Sequence, residues 1–162
     1  MSTLFEEQAP FIENLNATTG KTLTEWFDLI DQSQLVKFLD IRKWLMLIHQ
    51  LETAPATIIA QLYLENVEIN APKVFFYNEG RGGSFTYQSN EGSFNGYWEF
   101  GGGDALALLF FPSESQWEAQ TKLPLKQRQW IMDFVGQQAV KQQTTSGRGS
   151  YEMEGDVMVL RS

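Results

Sequence analysis

The spacing of hydrophobic positions changes near the middle of the chain. Up to about residue 66 they recur every three or four residues, and beyond about residue 70 they alternate in short aromatic runs. Leu4, Phe5, Ala9, Ile12 and Leu15 predict a first helical segment, with Pro10 at a bend or a helix start. Thr19-Gly20-Lys21 interrupts it, and Gly20 suits the left-handed position that ends a helix. Thr22 and Glu25 form a T-x-x-E capping box, in which hydroxyl and carboxylate cover free N–H groups. Leu23, Trp26, Phe27 and Ile30 follow as one apolar stripe. The stretch "TGKTLTEWFDLID" is thus accounted for as stop, cap and amphipathic helix, without a catalytic role for Lys21 or Glu25. A further helix is expected over about residues 34–51, with Leu35, Phe38, Ile41, Trp44, Leu45 and Ile48 inward. Pro55 suits the first turn of another, over residues 56–66.

After this the texture is that of a sheet. "KVFFYNE", "SFTYQS", "SFNGYWEF" and "ALALLFF" are short and bounded by turn residues. The links "GRGG", "NEG" and "GGGD" are short enough for an antiparallel meander. "ALALLFF" is almost wholly apolar, which predicts a central strand covered on both faces. A long helix is expected from near Pro124, burying Trp130, Ile131, Phe134, Val135 and Val140. "YEMEGDVMVL" reads as a strand or a hairpin turning at Gly155-Asp156. The class is α+β: a helical module over residues 1–68, then an antiparallel β-meander with one long C-terminal helix over residues 69–162.

Composition narrows the functions. Of the residues, 43% are hydrophobic, enough to fold a core rather than remain disordered. Twelve basic residues face 20 acidic ones, for a net charge of -8. That balance disfavours phosphate neutralisation, so neither nucleic acid nor an anionic membrane is an expected partner. The absence of cysteine excludes disulfides, thiolate nucleophiles and Cys-ligated metals, and fits the cytoplasm. No signal-peptide pattern opens the chain, and no window reaches the roughly 18 apolar residues of a membrane span.

One resemblance is carried by Phe11-Ile12-Glu13-Asn14-Leu15, Thr19-Gly20-Lys21-Thr22-Leu23, Glu25-Trp26, Lys37, Asp40-Ile41 and Trp44-Leu45, with His49 and Leu51 following. In order and spacing, residues 5–66 resemble a bacterial family known as domain of unknown function 4287. The family's Gly- and His-rich turn has no glycine in the corresponding His49–Pro55 stretch. The resemblance implies a small helical module and no particular activity.

Motifs for chemistry are sparse. Gly80 and Gly82 begin a G-x-G-x-x-G fingerprint, but Phe85 holds the third position and a strand follows. Arg81, flanked by glycine, is a turn residue whose loop offers N–H groups to an anion. His49 is the single histidine and suits a helix-end cap or a surface cation, so a His-based triad or zinc site is poorly supplied. No metal and no cofactor is expected. Glu99 and Asp104 flank "FGGGD" between two aromatic strands and form the most interesting carboxylate pair, while Glu152, Glu154 and Asp156 only loosely resemble a calcium cluster. The strongest unusual feature is aromatic crowding: Phe75, Tyr77, Phe85, Tyr87, Phe94, Tyr97, Trp98 and Phe100. A core needs one aromatic face, so aromatics on both leave one for a ligand.

The resulting expectation is a non-catalytic binding or interaction module. Its surface would comprise Tyr77, Arg81, Tyr87, Tyr97, Trp98, Glu99 and Asp104, and its partner would be a protein or a small molecule, with a homodimer also compatible. The alternative is a cofactor-free, hydrolase-like enzyme using paired carboxylates.

Overall fold

Seven α-helices and one six-stranded antiparallel sheet build the α+β fold, in a computed structural model that describes residues Met1–Ser162. The chain divides into two units, Met1–Asn70 and Ala71–Ser162.

The N-terminal unit is helical. Helix α1 (Leu4–Glu7) is closed by a capping box of Thr3 and Glu6. Helix α2 (Ala9–Thr19) takes Pro10 in its first turn, where the missing N–H leaves no bond unmade, and ends at Gly20 with φ 77°. Helix α3 (Leu23–Ser33) has the expected capping box: the Glu25 N–H donates to Thr22 Oγ1 at 3.3 Å, and the Thr22 N–H to Glu25 Oε2 at 2.7 Å. The Thr22 N–H and the Thr22 hydroxyl both donate to the Glu25 carboxylate and hold it below its ordinary pKa. The next helix starts later than residue 34, because Gln34 itself adopts the left-handed conformation (φ 59°) that ends α3. Helix α4 is therefore Phe38–Leu47, and α5 runs over Thr53–Asn70.

Leu15, Trp26, Ile30, Ile41, Leu45 and Ile59 are buried together in this unit. Ile48 does not join them; it lies past the last turn of α4 and is 64% exposed. His49 is neither a cap nor a surface cation. Its ring sits edge-on to Trp26 and Trp44, at centroid distances of 5.3 and 4.4 Å, and its Nε2 is buried without a partner. Desolvation, helped by Lys21, holds its pKa below 6.5. The Trp26 indole N–H donates to Thr19 Oγ1 at 3.0 Å, and Lys21 Nζ lies 5.8 Å from the centre of the Trp26 ring. The T-G-K turn and the E-W helix thus close around one aromatic cluster. On α5, the Tyr63 hydroxyl donates to Asp31 at 2.6 Å; burial and that bond push the phenol up to about 12.

The second unit is built on strands β1 (Lys73–Glu79), β2 (Gly82–Ser89), β3 (Gly92–Phe100), β4 (Ala105–Phe110), β5 (Ser150–Glu154) and β6 (Val157–Arg161). Their order is β1-β2-β3-β4-β6-β5, so β4 is interior, as its apolar run predicts. Its two faces differ: Ala107 and Leu109 are buried, while Leu108 and Phe110 are half-buried.

Two helices of this unit cover one face of the sheet. Helix α6 (Glu114–Thr121) is not predicted by the hydrophobic pattern, and it contributes the fully buried Trp117. Helix α7 (Arg128–Gln143) begins after a 3-10 turn at Leu125–Gln127 rather than near Pro124. Its inner stripe is Ile131, Met132, Val135, Gly136 and Ala139. Trp130 precedes that stripe by one position and is 55% exposed, stacked on Phe134.

Three glycines make room for rings on this face. Phe85 covers Gly96, its cross-strand partner, and Tyr151 of β5 lies against Gly136 of α7. The Trp98 indole lies over its partner Gly83, and its N–H donates to the carbonyls of Tyr77 (3.1 Å) and Ser84 (3.2 Å). The buried Arg128 guanidinium donates to the Pro112 carbonyl and, at 2.7 Å, to Asp156, and lies over the Trp117 ring. It ties the end of β4, the β5–β6 turn and α6 to one point.

Two outcomes follow from this packing. A methyl at Gly83 would stand 1.8 Å from the Tyr77 carbonyl oxygen, so Gly83→Ala should destabilise the C-terminal unit by about 3 kcal/mol, the upper end for overpacking. Urea unfolding read by near-UV circular dichroism checks this. The unfolded chain protonates His49 near pH 6.5 and the folded unit resists. The stability due to neutral His49 is therefore present above pH 6.5 and lost as pH falls below it. Melting scans between pH 7.5 and 5 should show a loss in the wild type that is smaller in His49→Phe.

Candidate functional site

Alternation along each strand assigns the candidate residues to opposite faces of the sheet. Val74, Phe76 and Asn78 of β1 share a face with Phe85 and Tyr87 of β2, Phe94 and Trp98 of β3, and Ala107 and Leu109 of β4. This is the face that α6 and α7 cover. Tyr87 and Trp98 are therefore core residues, 2% and 5% exposed. Burial raises the pKa of the Tyr87 phenol, which packs against Phe94 and Phe134.

The second face carries Phe75 and Tyr77, Ser84 and Thr86, Asn95, Tyr97 and Glu99, and Leu108 and Phe110. Phe75, Tyr77 and Tyr97 are 41%, 51% and 53% exposed. One register row runs Tyr77, Ser84, Tyr97, Phe110, and Tyr97 stacks on Phe110 at 5.8 Å. The adjoining row runs Glu79, Gly82, Glu99, Leu108. Gly82 has no side chain, and the Tyr97 hydroxyl lies over it, which brings the phenol towards the row that holds the two carboxylates. Thr86 and Asn95 hydrogen-bond each other at 2.7 Å across β2 and β3. The face therefore pairs flat rings with hydroxyl, amide and carboxylate groups.

The remaining candidates lie at turns. Arg81 is exposed in the β1–β2 turn, where Gly80 has φ 73° and the Arg81 carbonyl accepts from the Phe100 N–H. Asp104 lies in the β3–β4 turn and is bound by Arg161 at 2.6 Å. Arg161 also holds Glu152 at 2.6 Å, and Asp156 is held by Arg128. The acidic cluster singled out near the C-terminus is thus divided between two arginines. The structure brings Tyr77, Tyr97 and Glu99 onto one face, places Tyr87 and Trp98 on the other, and gives Asp104 an ion-pair partner.

One concave site was not legible in the sequence. On the covered face, an apolar cleft lies between the sheet and the last turns of α7, and Phe76, Trp98, Phe100, Leu109, Ala139 and Leu160 contribute to its lining. Its signal was the small residue at 139 on the inner stripe of α7, meaningful only once the opposing strands are known. No group of three or more His, Asp or Glu side chains is arranged to hold a metal, and no helix is long and apolar enough to cross a membrane.

Comparison with known proteins gives a family match on the helical unit. No curated protein and no solved structure matches the chain. Residues 8–65, the helices that close around Trp26 and His49, match the model of the family described as Domain of unknown function (DUF4287), the family that the T-G-K and E-W blocks resemble.

Proposed function

We propose that this protein is a non-catalytic binding module, and that the second face of its sheet holds a protein partner through arginine or lysine side chains. The observation that carries the reading is the exposed row of Tyr77 and Tyr97 beside the row of Glu79 and Glu99. An aromatic face attracts a cation through its quadrupole, and an adjacent carboxylate adds charge to the same contact. The net charge of -8 supports a basic partner over a second copy of the chain, since two acidic copies repel. Serine, threonine and asparagine between the rings supply hydrogen-bonding groups for a peptide backbone. Two observations weigh against the carboxylate-enzyme alternative: Asp104, one half of the Glu99–Asp104 pair, is engaged by Arg161, and no carboxylate lines the apolar cleft.

The test is fluorescence anisotropy with a labelled tetra-arginine peptide. Tyr97→Ala and Tyr77→Ala should each weaken binding about two- to five-fold, the roughly 0.5–1 kcal/mol of an exposed cation–π contact. Glu99→Gln should weaken it more than Asp28→Asn, which removes the same charge from an exposed position on α3. Equal losses in those two variants, or wild-type binding in the tyrosine variants, would refute the reading. So would a dimer in sedimentation that dissociates on Tyr97→Ala.

A further inference from the structure

The apolar cleft on the covered face has chemistry of its own, independent of the exposed tyrosines. It has a volume of about 90 Å³. Trp98, Ala107, Leu109 and Leu160 line it from the sheet, and Ala139 from α7. Asn78 of β1 and Gln143 of α7 also line it, and they are its only side chains with hydrogen-bonding amides. Phe100 lines it too while remaining 53% exposed, so the cleft reaches the surface there. No charged side chain takes part in the lining.

We infer that this cleft is a binding site for a small, uncharged, mainly apolar molecule, or the end of one, carrying a single hydrogen-bonding group. Three features set that class. The hydrocarbon and aromatic lining favours an apolar body. The absence of a charged group leaves an ionised ligand without a partner, and burying an unpaired charge is costly. The two amides offer both donor and acceptor, so a hydroxyl, carbonyl or amide head is satisfied on entry. Size adds a further limit: an apolar cavity of about 150 Å³ takes a benzene ring, so this one encloses about four non-hydrogen atoms, and the remainder of a ring lies out over Phe100. The indole N–H of Trp98 is already engaged by the Tyr77 and Ser84 carbonyls, so Trp98 presents only its ring.

Methyl and amide NMR of the full chain tests this, titrated separately with phenol, toluene and benzoate. Phenol should move the Ala107, Leu109, Ala139 and Leu160 methyls with saturable shifts. Benzoate should bind at least ten-fold more weakly. Asn78→Ala and Gln143→Ala should each weaken phenol more than toluene, which has no polar group to lose. Ala139→Leu, which fills the cleft, should abolish the shifts; the comparison of the three probes in the wild-type chain stands even if that variant fails to fold. Benzoate binding as well as phenol, shifts centred on Tyr77 and Tyr97, or no saturable shifts would overturn the assignment. Shifts at Tyr77 and Tyr97 would bear on the partner face alone, so the two readings fail separately.

Discussion

The indole of Trp98 fixes the register of three strands at once. It belongs to β3, lies over Gly83 of β2 and donates to carbonyls of β1 and β2. A slip of one residue would carry every side chain of a strand to the opposite face. In β2 that would expose Phe85 and Tyr87, and in β1 or β3 it would bury Tyr77 or Tyr97. The division of the aromatics into a core set and an outer set therefore rests on a ring that requires a glycine beneath it. Gly96 under Phe85 repeats the device on the neighbouring pair. Relying on glycine weakens a strand, and the overlying rings restore the buried apolar area that a side chain would have supplied.

Much of this was legible in the amino-acid sequence, and the failures have physical causes. The Thr22–Glu25 cap was readable because its geometry is local and its residues are specific. The strands were readable from alternating aromatics bounded by turn residues. The start of α4 was not, because Gln34 takes a conformation that glycine usually marks. Helix α6 was invisible because one large apolar residue, Trp117, carries its packing, so no periodicity exists to detect. Spacing alone puts Trp130 and Ile48 inward; the real stripe of α7 is rotated by one position, and α4 stops before Ile48. The face on which each tyrosine falls is fixed by cross-strand partners and by where α7 lies, information no single segment contains. The cleft belongs to the same category.

Charge is organised with similar economy. Arg128 and Arg161 each join segments distant in the sequence: one draws Asp156 to the end of β4, the other draws Asp104 and Glu152 together. Arg128 is buried and bonded to a carbonyl as well as a carboxylate, so its contribution depends on every partner being present. Arg161 is nearer solvent, where ion pairs contribute little to stability and are screened by salt. Asp104, Glu152 and Asp156 are thus the anchors of these two arginines.

The position of β6 bears on synthesis. The meander β1 to β4 is consecutive and can pair as it leaves the ribosome, but the outer edge of β4 must wait for a strand that begins at Val157. During that interval the nascent chain carries an unpaired, nearly uncharged edge of alanine, leucine and phenylalanine, the kind of surface on which chains pair with one another. The intervening helices are made first, and α7 can screen one face of the meander but not its open edge. The risk of aggregation in this protein is therefore concentrated in the time before its last hairpin closes.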